Sequence, residues 1–296
     1  MGGTLYVSSN RSARSTSLGY DTVTSASADT VFLQNKERQA HKDMLPVIIK
    51  KVRESRDSDV HPNSIPVQLY LDVTGSMGEI PPMLVREGLP TIMETMLGKG
   101  INDVSLMFGA IGDHEADRFP LQVGQFESGD AELDMWLTRT YMEGGGGGNT
   151  GESYGLAWFM ANNFFETDAW DKRKQKGFVF TIGDEPVLLT YPGSALKPLF
   201  GDNLPQTNSK YTAEELYKEC QKKNHVFHIH VNHGGGRHTN LADIMGQHCI
   251  TVDDYRRIPE VIASTILSYV EGTPVSHGSE VPVMGEEVSE DFKITL

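Results

Sequence analysis

An aspartate and two hydroxyl residues lie within five positions of one another, directly after an apolar run. They are Asp72, Thr74 and Ser76 in the segment D-V-T-G-S, which follows the apolar residues 65–71. Hard cations such as Mg²⁺ prefer oxygen donors in a compact cluster. The apolar run predicts a buried β-strand, and the residues after Met77 have helical spacing. The three side chains therefore lie on a strand-to-helix turn, where open α/β sheets bind ligands, and they predict a metal-dependent contact site.

Two further segments carry oxygen-bearing side chains at the ends of predicted elements. Asn149, Thr150 and Glu152 follow a run of glycines at 144–148 and precede a predicted helix, while Asp184 and Glu185 follow a predicted strand. Glycines let the backbone approach an ion closely, and helix N-termini add donors for an anionic group. We expect the three segments to meet at the carboxyl edge of one sheet.

Strands alternate with helices through the middle of the chain. The apolar patterns predict strands at 65–71, 104–111, 121–126, 177–182, 226–231 and 249–252, and helices at 82–97, 131–141, 152–165, 213–223, 241–246 and 258–270. Only a few residues connect the second predicted strand to the third. Such a short connection suits an antiparallel edge strand, because a parallel crossover needs a dozen residues or more. The pattern predicts a doubly wound, Rossmann-like α/β fold. Its six-stranded sheet is mostly parallel, with one antiparallel edge strand and helices on both faces.

Three regions are expected along the chain. Residues 1–63 should form a partly flexible N-terminal arm, with a helical pattern at 30–52 interrupted at Pro46 and a charged surface loop at 53–59. Residues 64–271 should form one domain, in which 187–210 is a long loop. Residues 272–296 should form an acidic C-terminal tail.

Composition limits the classes of partner and compartment. The 296 residues include 26 basic and 40 acidic side chains, a net charge of −14, and show no basic stripe. Nucleic-acid binding is therefore not expected, nor is binding to an anionic membrane. The chain has no apolar run near the roughly 20 residues that span a bilayer and no visible secretory signal, so we expect a cytoplasmic protein. Cys220 and Cys249 form no C-x-x-C pair and are expected to be ordinary buried thiols.

Over residues 64–271 the chain resembles the von Willebrand factor type A (vWA) domain, whose signature is a metal-ion-dependent adhesion site (MIDAS). The resemblance rests on the D-V-T-G-S segment, the glycine-rich loop and the aspartate after the fourth strand. It implies that Mg²⁺ or Mn²⁺ binds to Asp72, Thr74, Ser76, Thr150 and Asp184. Thr74 stands where serine is commoner in the family, and Gly183-Asp184-Glu185-Pro186 where many members have Asp-Gly. Asn149, Glu152, Asp113 and Glu185 are candidates for the periphery of the site, and which of Asn149, Thr150 and Glu152 faces the ion stays open.

The resemblance also implies a function. A MIDAS-type domain is a protein–protein binding module rather than an enzyme, and its ion captures a carboxylate of the partner. The expected partner is thus a protein that presents an acidic residue. Related domains work with AAA+ ATPases and in assembly, so an AAA+ ATPase or an assembly component is a candidate partner.

The first segment has three alternative interpretations. Asp72 could simply cap the following helix, since aspartate is a common N-cap. The segment also looks like the nucleophile turn of haloacid dehalogenase-like phosphotransferases, in which Asp72 would accept a phosphoryl group beside Mg²⁺, although Val73 replaces the lysine of the cation-pumping ATPases. A structural or assembly component with a stabilising ion site is the third alternative.

Two other groups of polar residues favour a structural role. Asp113 and His114 follow the second predicted strand and are interpreted as a solvated turn rather than as a border of the ion site. His228 and His230 share one face of a predicted strand, and zinc would need further ligands in a tetrahedron. A half-buried strand with polar partners is the preferred interpretation of these histidines.

Overall fold

The central sheet has six strands. The computed structural model describes residues 3–47, 53–144, 151–201, 204, 209–232 and 239–271. The strands are β1 (Ile65–Asp72), β2 (Val104–Ile111), β3 (Leu121–Val123), β4 (Gly177–Gly183), β5 (Asn224–Val231) and β6 (Cys249–Val252). They lie in the order β3-β2-β1-β4-β5-β6. All neighbours are parallel except β3, which pairs antiparallel with β2 at the edge. The predicted fold class is confirmed.

Helices cover both faces of this sheet. They are α1 (Ser8–Leu18), α2 (Gln34–Glu37), α3 (Ile80–Met83), α4 (Leu89–Gly98), α5 (Asp130–Thr138), α6 (Tyr154–Asn163), α7 (Asp168–Arg173), α8 (Gly193–Phe200), α9 (Ala213–Cys220), α10 (Leu241–Met245) and α11 (Ile258–Glu271). Turns of 3₁₀ helix cover Tyr20–Thr22, Ser25–Thr30, Lys42–Met44, Gly75–Met77, Gly246–His248 and Tyr255–Arg257, and Leu84–Gly88 forms a π-helical turn between α3 and α4.

Side chains alternate along the central strands between two apolar layers. From β1, Val67 and Leu69 belong to the layer that includes α4 and α11, whereas Tyr70 belongs to the layer that includes α6 and α9. Successive residues of a strand point to opposite faces. A strand covered on both faces is apolar almost throughout, which explains why β1 was recognisable in the sequence.

Two small strand pairs lie outside the central sheet and were not predicted. Arg53–Ser55 pairs parallel with Phe165–Thr167, in a region expected to be a surface loop. Thr190–Pro192 pairs antiparallel with Lys210–Thr212, and α8 follows the first of these strands directly. The long loop expected at 187–210 is therefore partly regular. Three-residue strands are too short to show a hydrophobic period. Helix α8 was not predicted because it begins directly after Pro192 and contains Pro198.

The residues before β1 pack into the core. Val23, Val31, Phe32 and Met44 are almost fully buried. The division of the chain into an arm, a domain and a tail stays a prediction. The helix expected at 30–52 is wrong within the described residues, which contain there the end of the 3₁₀ turn Ser25–Thr30, α2 and the 3₁₀ turn Lys42–Met44. A composition rich in Ser and Thr gives little apolar periodicity, so contacts made by single side chains could not be predicted.

Two arginines of α1 hold this N-terminal region against α5. Arg11 is buried, with its Nε 2.8 Å from Oδ1 of Asp134, and its Nη2 donates to the carbonyl of Val85 in the π-helical turn. Arg14 pairs with Oδ2 of Asp130 at 2.6 Å and with Oδ2 of Asp134 at 2.8 Å. A π turn disturbs the regular hydrogen bonding of a helix, and the guanidinium of Arg11 satisfies one of its carbonyls. The N-terminal region thereby contacts the helix that follows the Asp72 turn.

The thiols and the helix lengths add two smaller findings. Cys220 is buried, as expected, whereas Cys249 is partly exposed, and both are free. No helix among the described residues is long and apolar enough to cross a membrane. The acidic tail expected at 272–296 lies outside the described residues.

Replacing Arg11 by Met should destabilise the protein. The substitution leaves the carbonyl of Val85 without its donor and removes one of the two cations beside buried Asp134. Breaking a buried ion pair costs about 3 kcal/mol or more. Urea unfolding followed by circular dichroism measures the loss. Arg256→Met is the control, because Arg256 and its partner Asp254 are exposed, and it should change the free energy of unfolding by less than about 0.5 kcal/mol. Equal stability of the two variants would show that the contacts of Arg11 do not stabilise the fold.

Candidate metal centre

The first and fourth strands are neighbours at the point where the strand order reverses. β1 continues to β2 on one side, and β4 continues to β5 on the other. Leu71 of β1 pairs in register with Ile182 of β4, so Asp72 and Asp184 lie at the same carboxyl edge. In open α/β sheets ligands bind in the crevice at this topological switch point.

Close polar contacts connect four of the predicted ligands. Oδ1 of buried Asp72 accepts from the backbone N–H of Thr74 at 2.8 Å and from its hydroxyl at 2.6 Å. The hydroxyl oxygens of Thr74 and Ser76 lie 3.3 Å apart, and the Ser76 hydroxyl donates to Oδ1 of Asp184 at 2.8 Å. The bond from the Thr74 N–H is a local turn contact, as capping would also give. The bond from Ser76 to Asp184 joins two separate segments, which capping does not explain.

The third segment is described only in part. Thr150 and Asn149 lie outside the described residues, together with 145–148. Gly144 has a φ of +66° and its N–H donates to the carbonyl of Val73 at 3.2 Å. At the other end of the segment, the Glu152 N–H donates to the carbonyl of Pro186 at 2.8 Å. Both ends of the glycine-rich segment thus contact the other two segments.

Glu152, a candidate for the periphery, is buried beside these polar contacts. Its Oε2 has no hydrogen-bond partner among the described residues. Burial, reinforced by the negative charges of Asp72, Asp117 and Asp113, raises the pKa of Glu152 to about 10. Burial likewise raises the pKa of Asp72 to about 7. The hydrogen bonds from Thr74 lower this pKa, whereas the negative charge of Asp184 raises it further. Several carboxyl groups are therefore buried close together at this edge.

The turn after β2 borders the same edge but is not solvated as expected. Asp113 is almost fully buried, its Oδ1 accepts from the Glu115 N–H at 2.8 Å, and its Oδ2 has no partner among the described residues. Nδ1 of His114 lies 2.7 Å from the hydroxyl of Ser153, at the start of α6. The predicted turn is present, but Asp113 is buried in it and His114 contacts Ser153 directly before α6, whereas Glu115 is exposed.

The donor set fits a hard divalent cation in chemistry and in charge. All the donors are oxygens, as Mg²⁺ and Mn²⁺ prefer, and the buried carboxyl groups of Asp72 and Glu152 carry raised pKa values that a nearby cation would lower. Within the described part of the chain, no three His, Cys, Asp or Glu side chains converge as a metal-binding group. A cation held by Asp72 and Asp184 would thus also need hydroxyl oxygens and water, and Mg²⁺ commonly keeps several waters.

Tyr154 is a residue of this site that sequence reasoning missed. Its hydroxyl donates to Oδ2 of Asp72 at 3.4 Å, although Tyr154 lies 82 positions away in the sequence. The available signal was its place as the first residue of the helix after the glycine-rich loop. A tyrosine there can fill an apolar layer while its hydroxyl reaches a polar partner.

The histidines of β5 are buried rather than half-buried. His228 and His230 have ring centroids 6.1 Å apart, and Nδ1 of His228 lies 2.9 Å from the Thr181 hydroxyl. Burial lowers the pKa of His228 well below its usual value, so the ring stays neutral. A polar partner is present, as predicted. His233 and His238 lie outside the described residues.

Comparisons with known proteins find similar solved structures at low sequence identity. No family model and no curated protein matches the sequence. The pilus adhesin SpaC from Lactobacillus rhamnosus GG is 11% identical, with 72% of this chain and 32% of SpaC covered and a TM-score of 0.46. The von Willebrand factor domain of the pilus tip protein Mfa5 from Porphyromonas gingivalis is 13% identical, with 74% of this chain and 99% of that domain covered and a TM-score of 0.45. The chain spans about a third of the length of SpaC. Its sheet order and antiparallel edge strand form a doubly wound, mostly parallel α/β fold.

Without divalent cations, the protein should lose stability as the pH rises from about 4 to about 7. An unfolded aspartate titrates near pH 3.9, whereas Asp72 in the folded state has a pKa of about 7. Between these values the folded state binds the extra proton, so the free energy of unfolding falls with pH. At about 1.4 kcal/mol per pKa unit the loss is roughly 4 kcal/mol.

Denaturant unfolding in EDTA across this pH range measures the effect. Glu152 contributes in the same direction, so the difference between the wild type and Asp72→Asn isolates Asp72. The asparagine stays neutral at every pH, and its curve should lack the Asp72 component. Parallel curves for the two proteins would show that Asp72 is not a buried titrating carboxyl.

Proposed function

We propose that the protein is a MIDAS-type binding module, which captures a protein partner through a bound Mg²⁺ or Mn²⁺ ion. Asp72, Thr74, Ser76 and Asp184 would hold the ion, together with Thr150 from the glycine-rich segment. The observation that carries the proposal is the hydrogen bond from Ser76 to Asp184, which joins two segments at the switch point beside buried Asp72. When bound, the ion supplies a positive charge that attracts a carboxylate of the partner.

The exposure of the side chains supports a contact site with one open side. Asp72 is fully buried, whereas Ser76 is exposed. A partner could therefore approach at Ser76 while Asp72 fixes the ion from inside. The exposed Glu115 and the half-buried Glu185 add negative charge nearby. Like charges repel an acidic partner, so capture of a carboxylate should require the ion.

Binding fits these residues better than catalysis by a nucleophile. A phosphoryl acceptor must reach its donor, and the carboxylate of Asp72 is fully buried and already accepts hydrogen bonds from Thr74. Gly151-Glu152-Ser153-Tyr154-Gly155 has the G-x-S-x-G spacing of a nucleophile elbow. Ser153, however, is also fully buried, and its hydroxyl accepts from the His114 N–H at 2.9 Å. The haloacid dehalogenase-like alternative is thus disfavoured by access.

The partner we propose is a protein that presents a glutamate or aspartate, with an AAA+ ATPase or an assembly component as the candidate class. The acidic composition of the chain speaks against nucleic acid and anionic membranes as partners. A structural component with a stabilising ion is the second candidate, and it is favoured by the extensive burial of the site's carboxyl groups. The two proposals differ in whether removal of the ion releases a partner.

Wild-type protein should bind Mg²⁺ or Mn²⁺, and Asp72→Asn should lose at least tenfold in affinity because it removes a ligand charge. Isothermal titration calorimetry measures both. Asp103→Asn is a suitable control: Asp103 precedes β2 at the amino edge of the sheet, where its Oδ2 accepts from the Asn63 N–H at 3.1 Å. It should bind like the wild type. Equal binding by the Asp72 and Asp103 variants would remove Asp72 from the site.

Capture of a partner should depend on the ion. Immobilised wild-type protein, incubated with lysate of the native host in Mg²⁺, should retain a partner that EDTA releases and that Asp72→Asn does not retain. The Asp103→Asn variant should retain the same partner. If EDTA leaves the retained set unchanged while calorimetry shows ion binding, the ion is structural, and the assembly proposal replaces reversible capture.

A further inference from the structure

The hydroxyl of Tyr154 lies between two segments of the candidate metal centre. It donates to Oδ2 of Asp72 at 3.4 Å and accepts a hydrogen bond from the backbone N–H of Glu185. Tyr154 itself is the first residue of α6, directly after the glycine-rich segment. One side chain thus connects the turn after β1, the loop after β4 and the helix that follows the third segment.

The end of β4 leaves space for this hydroxyl. A Cβ placed on Gly183 would lie 1.9 Å from the Tyr154 hydroxyl oxygen and 2.8 Å from the ring carbon that bears it. No side chain larger than hydrogen fits there unless the phenol moves. Gly183 precedes Asp184, so the glycine and the tyrosine together determine how closely α6 approaches this ligand.

The aromatic ring is held from its other side. Its centroid lies 4.6 Å from that of His228, at an interplanar angle of 59°, and Nδ1 of His228 lies 2.9 Å from the Thr181 hydroxyl. All three residues are fully buried. The position of the hydroxyl is therefore determined by packing on β4 and β5 rather than by a mobile surface contact.

The two carboxylate oxygens of Asp72 have different donors. Oδ1 accepts from Thr74, two residues away, and Oδ2 accepts from Tyr154. Burial, reinforced by the negative charge of Asp72, raises the pKa of the Tyr154 phenol well above its ordinary value, so the hydroxyl remains a donor at neutral pH. Hydrogen bonds to a metal-binding carboxylate fix its orientation, and their loss typically costs 10–100-fold in metal affinity.

We propose that Tyr154 is a positioning residue of the metal centre, which orients the Asp72 carboxylate and holds the Asp184–Glu185 loop at a fixed distance from it. The inference rests on the proposed ion-binding function. Tyr154 acts through Asp72 and through the backbone of Glu185. It is therefore expected to determine the affinity and the geometry of the site, while the ion's direct ligands remain those named above.

Tyr154→Phe tests this role, because it removes the hydroxyl and keeps the ring against His228. Tyr191→Phe is the matched control: Tyr191 is also fully buried, and its hydroxyl accepts from the N–H of Gly155, the next residue of α6, at 2.9 Å. Mn²⁺ titration followed by electron paramagnetic resonance measures both the affinity and the symmetry of the bound ion. Unfolding by urea is measured in parallel for all variants.

Tyr154→Phe should bind Mn²⁺ about tenfold more weakly and show a changed line shape for the bound ion, whereas Tyr191→Phe should match the wild type in both. Gly183→Ala is a second variant that keeps the hydroxyl but displaces it, and it should resemble Tyr154→Phe. A line shape and an affinity that stay at wild-type values in Tyr154→Phe would overturn this inference but not the proposed function. Equal losses in Tyr154→Phe and Tyr191→Phe would also overturn it, since general packing would then explain them. Failure of the wild type to bind Mn²⁺ would overturn the proposed function, and the inference with it.

Discussion

The burial of negative charge between β1 and β4 is the constraint on which the rest of the site depends. A carboxylate transferred from water into a protein interior loses several kcal/mol unless hydrogen bonds or an opposite charge compensate for it. Asp72 receives hydrogen bonds from Thr74 and Tyr154, and these donors are neutral. Its neighbour Asp184 adds charge of the same sign. Either protons or a cation must balance such a group, which is why its chemistry points to a hard divalent ion.

This constraint accounts for features at some distance from the carboxylates. Gly183 has no side chain because the Tyr154 hydroxyl occupies that space. The N-terminal region contacts segments on both sides of the site: the Ser25 N–H donates to Oε1 of Glu79 at 2.7 Å, and Oδ1 of Asn35 accepts from the Met142 N–H at 2.9 Å. Glu79 follows the Asp72 turn, and Met142 precedes the glycine-rich segment. A region that looked peripheral in the sequence therefore supports two segments that must keep their relative positions.

The predictability of these features follows from the range of the interactions. β1 could be recognised because a strand covered on both faces is apolar throughout, and the antiparallel edge strand followed from the short connection before it. Asp72, Thr74 and Ser76 are neighbours in the sequence, so their proximity needed no knowledge of the fold. Asp184 required only the assumption that β4 ends at the same edge as β1.

The features that were missed are long-range or too short to show a period. The partner of Asp72 in α6 and the ion pairs of Arg11 join residues far apart in the chain, and nothing in the local sequence identifies such pairs. The two small strand pairs have three residues in each strand, which is less than a hydrophobic period can reveal. Asp113 was expected in water because aspartate is common in turns, but burial depends on tertiary packing around the turn, which the local sequence does not show.

The arrangement also bears on the proposed capture of an acidic ligand at an acidic edge. The charges that destabilise the ion-free fold at neutral pH are the charges that would attract a divalent cation, and a bound cation would offset the free-energy cost of burying Asp72. Ser76 is the exposed member of this set of polar contacts, and the contacts continue into the interior through Thr74 to Asp72. A cation on this path would be held from inside by fixed carboxylates and would face solvent on the side of Ser76. The fixed interior then determines which ion binds, whereas the open side determines which partner can reach it.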